Sequence, residues 1–157
     1  MILQVHDELV FECPSEEEEE MRALVKKEME EVVGAAVDLL FCNEEEAMLF
    51  TETNTLNEAR EELKKAAKKF VITQGKNGAM VFDGETFIDI EPYPIKAVDS
   101  TGAGDMFSGA FLYGITHGHT YASSAKLASK ASSEIVSKYG PRLAYYELQE
   151  IKEAVIG

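Results

Sequence analysis

The stretch Val98-Asp99-Ser100-Thr101-Gly102-Ala103-Gly104-Asp105-Met106-Phe107 decides how this chain is read. Three small residues precede an acid, and Phe107, Ala110, Phe111, Leu112 and Ile115 then recur at helical spacing. The pattern predicts a helix over 103–117, with the amides of Gly102, Ala103 and Gly104 at its N-terminus and aimed at one focus. Unpaired N–H groups and the positive end of the helix dipole attract anions to such a terminus. Asp105 projects into the same place. Amides that stabilise a migrating phosphoryl group, beside a carboxylate that takes a hydroxyl proton, are the parts of a small-molecule kinase. Taken alone, the loop also reads as a glycine-rich turn with an ordinary acid in the first helical turn.

Upstream, Val37 to Cys42 is a nearly continuous apolar run, the pattern of a strand buried on both faces. Helices are predicted over 44–50 and 55–69, then strands over 70–74, 78–83 and 86–91. Asn43 and Glu46 have the N-cap and N3 spacing of a capping box. Thr73, Gly75 and Gly78 mark a strand-end turn. Two more helices, 120–138 and 144–156, follow the first one. No linker separates these pieces, so residues 1–157 are expected to form one three-layer α/β domain.

The first residues differ in kind. Residues 2–6 and 9–13 alternate and are rich in β-branched and aromatic side chains, a hairpin with Asp7-Glu8 at its turn. Ser15 is the expected N-cap of a helix, with Glu18 as capping-box partner and Gly34 as its stop. Met21, Leu24, Val25, Met29, Val32 and Val33 form its apolar stripe.

Composition narrows the options. A chain of 157 residues suits one core, burying about 70% of its unfolded surface. The net charge of −14 argues against nucleic-acid partners, because phosphate-backbone binding needs Lys and Arg to displace counterions. Cys13 and Cys42 are too few for a disulfide scaffold or a metal site, which points to a reducing, cytoplasmic compartment. No apolar run has membrane-spanning length, so no membrane partner is expected.

Three motifs together carry a family resemblance. Asp38-Leu39-Leu40-Phe41-Cys42-Asn43-Glu44-Glu45-Glu46, Val71-Ile72-Thr73-Gln74-Gly75-Lys76-Asn77-Gly78 and the Gly102–Asp105 loop resemble, in order and spacing, the C-terminal half of ribokinase-like (PfkB) sugar and nucleoside kinases. The resemblance covers residues ~37–157 and implies Asp105 as general base and Gly102, Ala103 and Gly104 as anion hole. It further implies Thr73, Gly75, Gly78 and Thr101 as nucleotide contacts, and Asn43 and Glu46 as organisers of a hydrated Mg²⁺.

Residues ~1–34 resemble another family. Gln4-Val5-His6-Asp7-Glu8 is similar to the palm hairpin of bacterial DNA polymerase I, where such acids face metal ions. A second acidic motif, needed to hold two ions, is missing, so Asp7 and Glu8 are read as a polar turn and polymerase activity is not expected. The two resemblances meet near Gly34, Ala35 and Ala36, dividing the domain into segments 1–36 and 37–157. The expectation is an engineered or recombined chimera, a hairpin and helix grafted onto a truncated ribokinase-like sheet. It would have no evolved catalytic function, a vestigial phosphate loop, no required cofactor and weak ATP and Mg²⁺ binding. The alternative is a minimal ATP/Mg-binding kinase fragment that uses Asp105 as base. An uncovered edge at strand 37–42 adds the expectation of a homodimer.

Overall fold

The computed structural model describes residues 2–5, 8–11 and 14–157, which fall into two compact units, Met1–Val37 and Asp38–Gly157. In the first unit, β1 (Ile2–Val5) and β2 (Glu8–Phe11) pair antiparallel, Ile2 opposite Phe11 and Val5 opposite Glu8. Asp7 lies outside the described residues. Helix α1 (Glu18–Ala36) follows.

Two expectations for that helix are corrected. Ser15 does not cap it: the Glu17 amide donates to the Pro14 carbonyl at 3.0 Å, so residues 15–17 form a 3₁₀ turn and α1 starts at Glu18. Gly34 does not stop it either, and the helix runs through to Ala36. A glycine inside a helix costs only about 1 kcal/mol, and two alanines after it favour continuation.

The second unit is built on a sheet of order β3-β4-β5-β6. Its strands are β3 (Leu40–Asn43), β4 (Phe70–Thr73), β5 (Ala79–Phe82) and β6 (Phe87–Ile90). β3 runs parallel to β4, and the other pairs are antiparallel. Alternate side chains of a strand point to opposite faces, and both faces of β4 are buried. On one, Val71, Val81 and Ile90 pack with Phe107 and Phe111 of α4 (Ala103–Thr116) and Ala125 and Ala128 of α5 (Tyr121–Val136). On the other, Phe70, Ile72 and Phe82 pack with Ala47 of α2 (Glu44–Thr51) and with Ala59 and Leu63 of α3 (Leu56–Ala66). The predicted three-layer α/β arrangement is therefore present. Each fully buried aromatic or aliphatic side chain contributes about 1.5–3 kcal/mol.

Helix α6 (Tyr145–Ile156) adds a smaller cluster, Ile151 against Leu127 and Ala131 of α5. α4 and α5 meet closely, since a Cβ on Gly114 would stand 2.4 Å from Ser124 Oγ. Element ends differ from the sequence expectation where tertiary pairing takes over. α3 ends at Ala66 rather than at residue 69, because the Lys69 carbonyl must accept from the Leu40 amide at 3.0 Å. Burial pushes the Cys42 thiol up to about 12, with the charge of Glu46 adding to the effect. Among the described residues no helix is long and apolar enough to cross a membrane.

Candidate active site

The sheet register collects the predicted motifs at one end. Asn43 stands opposite Thr73, Thr73 opposite Ala79, and Ala79 opposite Ile90. In open α/β sheets, ligands bind beyond the carboxyl ends of the parallel strands, here the ends of β3 and β4.

At the end of β4 the chain turns tightly. The Gln74 amide donates to the Gly78 carbonyl at 2.8 Å, and the Gly78 amide to the Gly75 carbonyl at 3.2 Å. A Cβ on Gly78 would stand 2.0 Å from the Ile90 carbonyl oxygen, so that glycine is required by backbone packing. Among the described residues, Gly75 has nothing within 4 Å of the place a Cβ would take.

The second loop is held from several directions. The Val98 amide donates to the Val136 carbonyl at 2.8 Å. Asp99 accepts from the Thr101 amide at 2.9 Å and from the Gly140 amide at 3.2 Å. The Thr101 amide, then its hydroxyl, then the Gly140 amide hold the Asp99 carboxyl below the usual carboxylate range. Gly102 takes φ 75° as N-cap of α4, pressed where a Cβ would meet Pro141 Cβ at 2.7 Å. Ser132 Oγ donates to the Ala103 carbonyl at 3.0 Å and ties the start of α4 to α5.

The amides at this terminus are not equivalent. The Ala103 amide is already paired, donating to the Ser100 carbonyl at 3.1 Å, and the first helical bond runs from the Met106 amide to the Gly102 carbonyl at 2.9 Å. Between them, the amides of Gly104 and Asp105 have no acceptor among the described residues. A Cβ on Gly104 would meet nothing within 4 Å among the described residues. An open, donor-lined space at a helix N-terminus suits a phosphate.

A cleft of about 600 Å³ joins the two loops. Thr73, Gly75, Lys76 and Gly78 line one side, and Ser100, Ala103 and Gly104 the other. Tyr93, Pro94, Ile95, Ala97, Phe107 and the α5 serines Ser129, Ser132 and Ser133 are also in its wall. Thr101 and Gly102 shape the loop without lining this cleft. Asp105 borders a second cavity, of about 440 Å³, on a different face of α4.

Asn43 and Glu46 form the predicted capping box: the Glu46 amide donates to Asn43 Oδ1 at 2.9 Å, and the Asn43 amide to Glu46 Oε2 at 2.7 Å. They stand one strand over from Thr73 and line neither cavity. Among the described residues no three His, Cys, Asp or Glu side chains gather as a metal site. Glu8 begins β2, opposite Val5.

Sequence reasoning missed the Asp105 amide, the α5 serines and Asp99. Only Asp99 had a signal, because its spacing to Thr101 fits an Asx turn. The serines come from an element folded in from 25 or more residues away, which no local pattern encodes.

The chain is similar to known proteins. The chain is 36% identical over 116 residues to a ribokinase of Lactococcus lactis, a match covering 74% of this chain and 38% of that protein. It is 35% identical over 112 residues to a cytidine kinase of Thermococcus kodakarensis, covering 69% of this chain and 40% of that protein. The structure of a probable sugar kinase from Rhizobium etli superposes with TM-score 0.78 at 29% identity, over 84% of this chain and 41% of that one. The chain thus spans about two fifths of the length of the relatives it matches.

The expectation of a function-free chimera is overturned. The sequence profile of the pfkB family carbohydrate kinases matches residues 5–147, straight across the seam expected at residues 34–36. Nothing in the comparisons supports a polymerase component. The Gln4–Glu8 motif is five residues long, and patterns that short recur by chance on any polar hairpin. The chain belongs to the pfkB family of carbohydrate kinases.

Proposed function

We propose that this chain carries the nucleotide-binding and base-bearing part of an ATP-dependent kinase whose acceptor is a small hydroxyl-bearing molecule of the sugar or nucleoside class. One observation carries the reading: the Thr73–Gly78 turn and Gly104, with its open amide, face each other across a single cleft. The fit to a nucleotide rests on that cleft, on the unfilled space at Gly75 and Gly104, and on Lys76 at its wall. The names of the relatives, ribokinase and cytidine kinase, support the reaction class.

Bound ATP would supply the transferable γ-phosphoryl group, with a hydrated Mg²⁺ to shield its charge. Gly104 and the Asp105 amide hold phosphate oxygens, while Gly102 and Ala103 set the loop that aims them. Thr73, Gly75 and Gly78 let the nucleotide approach the backbone, and Thr101 keeps Asp99 in place. Glu46 keeps one carboxylate oxygen clear of the capping box, and with Asn43, at the neighbouring strand end, it would be the group to hold a hydrated ion that shields the phosphate charge. Asp105 takes the acceptor proton as that oxygen bonds to the γ-phosphorus, the bond to the bridging oxygen breaks and ADP leaves.

The test is ATP consumption with a panel of sugars and nucleosides, for the chain and for Asp105→Asn. The reading expects acceptor-dependent turnover that falls by about 10²-fold or more in the variant. Turnover unaffected by Asp105→Asn contradicts it. Among the described residues β3 bonds to β4 alone, and that edge position supports a further proposal of self-association. Sedimentation should reveal a dimer that grows with concentration, and a strict monomer removes that proposal.

A further inference from the structure

We propose that the nucleotide cleft does not select its base: it takes 6-amino and 6-oxo purine triphosphates alike, through the hydroxyl of Ser129. The proposal rests on the kinase reading above and adds the class of phosphoryl donor. With the phosphates at the tip of α4, the base falls on the remaining wall, where Pro92, Tyr93, Pro94, Ile95, Ala97 and Val136 are largely apolar. Such a surface holds either purine by its flat face, which every base has, and distinguishes neither. Selection therefore needs polar groups held against the edge of the ring.

α5 brings three hydroxyls to the cleft, those of Ser129, Ser132 and Ser133. A hydroxyl has one proton to give and two lone pairs to offer. Ser132 gives its proton to the Ala103 carbonyl at 3.0 Å, and Ser133 to the Lys130 carbonyl at 2.7 Å. Ser129 is only 8% exposed, yet its hydroxyl has no partner among the described residues. Ser124 Oγ also lacks one, but it is sealed against Gly114 and borders neither cavity. A buried hydroxyl left unpaired costs stability, and at Ser129 a ligand in the cleft can supply the partner. Its proton rotates, so it accepts from an exocyclic amine or donates to a carbonyl in the same place. On the opposite wall no backbone group from Tyr93 to Ala97 is hydrogen-bonded among the described residues, so none is locked toward one base. Lys76 is the one charged side chain among the described residues lining the cleft, and no carboxylate lines it to pair with the ring N–H of a 6-oxo purine. A site of fixed hydrogen bonds rejects the wrong analogue by about 10⁴–10⁵-fold. A rotating hydroxyl forfeits that.

The experiment is a calorimetric titration of the full chain with ATP and with inosine triphosphate, each with Mg²⁺. The two nucleotides differ only at the 6 position, an amine in one and a carbonyl in the other. Both should bind saturably, with affinities within about tenfold of each other. In Ser129→Ala the two remaining α5 hydroxyls still accept from an amine but have no proton for a carbonyl. Inosine triphosphate should therefore lose about tenfold more affinity than ATP in that variant. A general loosening of the cleft would weaken both together, so the ratio reports the hydroxyl itself. A preference for ATP beyond about tenfold in the unaltered chain overturns the proposal, and so does an unchanged ratio in Ser129→Ala. The first comparison needs no variant, so it decides the matter even where the alanine chain fails a thermal-melting check. If ATP itself does not bind, the kinase reading falls and the donor inference falls with it. If ATP binds and inosine triphosphate is rejected, only the donor inference falls.

Discussion

The turn at Gly75–Gly78 and the loop at Gly102–Gly104 look alike in sequence, two short glycine motifs before a strand and a helix, but their glycines do different work. In each motif one glycine is fixed by the fold and the other borders empty space. Gly78 is pressed against the Ile90 carbonyl and Gly102 against Pro141, whereas Gly75 and Gly104 have no neighbour among the described residues where a side chain would begin. The two open glycines face one cleft. A motif glycine is therefore not one kind of evidence: one class reports the backbone, the other the space left for a ligand.

Substitution separates the two classes, and the largest effect belongs to Gly78. Gly78→Ala places a Cβ 2.0 Å from a backbone oxygen at φ 94°, and a loss of about 3 kcal/mol or more is expected. Thermal unfolding checks it, and a near-normal midpoint would erase the distinction between the classes. Gly102→Ala should cost less, about 1–3 kcal/mol, because its first neighbour at 2.7 Å is the Pro141 side chain. The loss should reach nucleotide affinity too, since Gly102 begins the helix that carries the open amides.

Asp99 sharpens the comparison from a distance, because it braces only the second loop. Asp99→Ala releases the Thr101 and Gly140 amides together, and ATP affinity is expected to fall about tenfold. The pH dependence follows in sign. The folded carboxyl is held below the ordinary value, which is about 3.9. Its stabilising contribution is therefore complete above that value and is lost as pH falls through the lower folded value. Nucleotide affinity should show no Asp99-dependent change from neutrality down to about pH 4 and should weaken below it. An affinity step near pH 6 that disappears in Asp99→Ala would contradict this. The smallest stability effect is that of Gly104→Ala, on helical backbone in open space, with a gain of up to about 1 kcal/mol.

The layers of the kinase-like unit were legible because their signals are local. The apolar run through Leu40–Cys42 marks a strand, though a half-buried one at the sheet edge rather than one buried on both faces, the helical spacing after Asp105 gives α4, and Asn43 with Glu46 caps α2 as its spacing implies. The same locality explains the failures. Whether a helix passes through Gly34 depends on the residues after it, and the Ser15 cap lost to a turn closed by the Pro14 carbonyl. The candidate site was legible as a set of motifs but not as a place. That Asp99 reaches Gly140 across 41 residues and that Asp105 borders a different cavity from Gly104 are products of chain crossings. The polymerase reading failed for a related reason: five polar and apolar residues at a hairpin turn carry no tertiary information.

The claim on which the rest depends is that the open space beside Gly104 is reserved for a phosphate. Calorimetric titration of ATP and Mg²⁺ into the chain and into Gly104→Val tests it most directly. The account predicts saturable binding to the unaltered chain, and in the variant a loss of about tenfold or more with the thermal midpoint preserved. Equal affinity in the two proteins, or no binding to the unaltered chain, would contradict it.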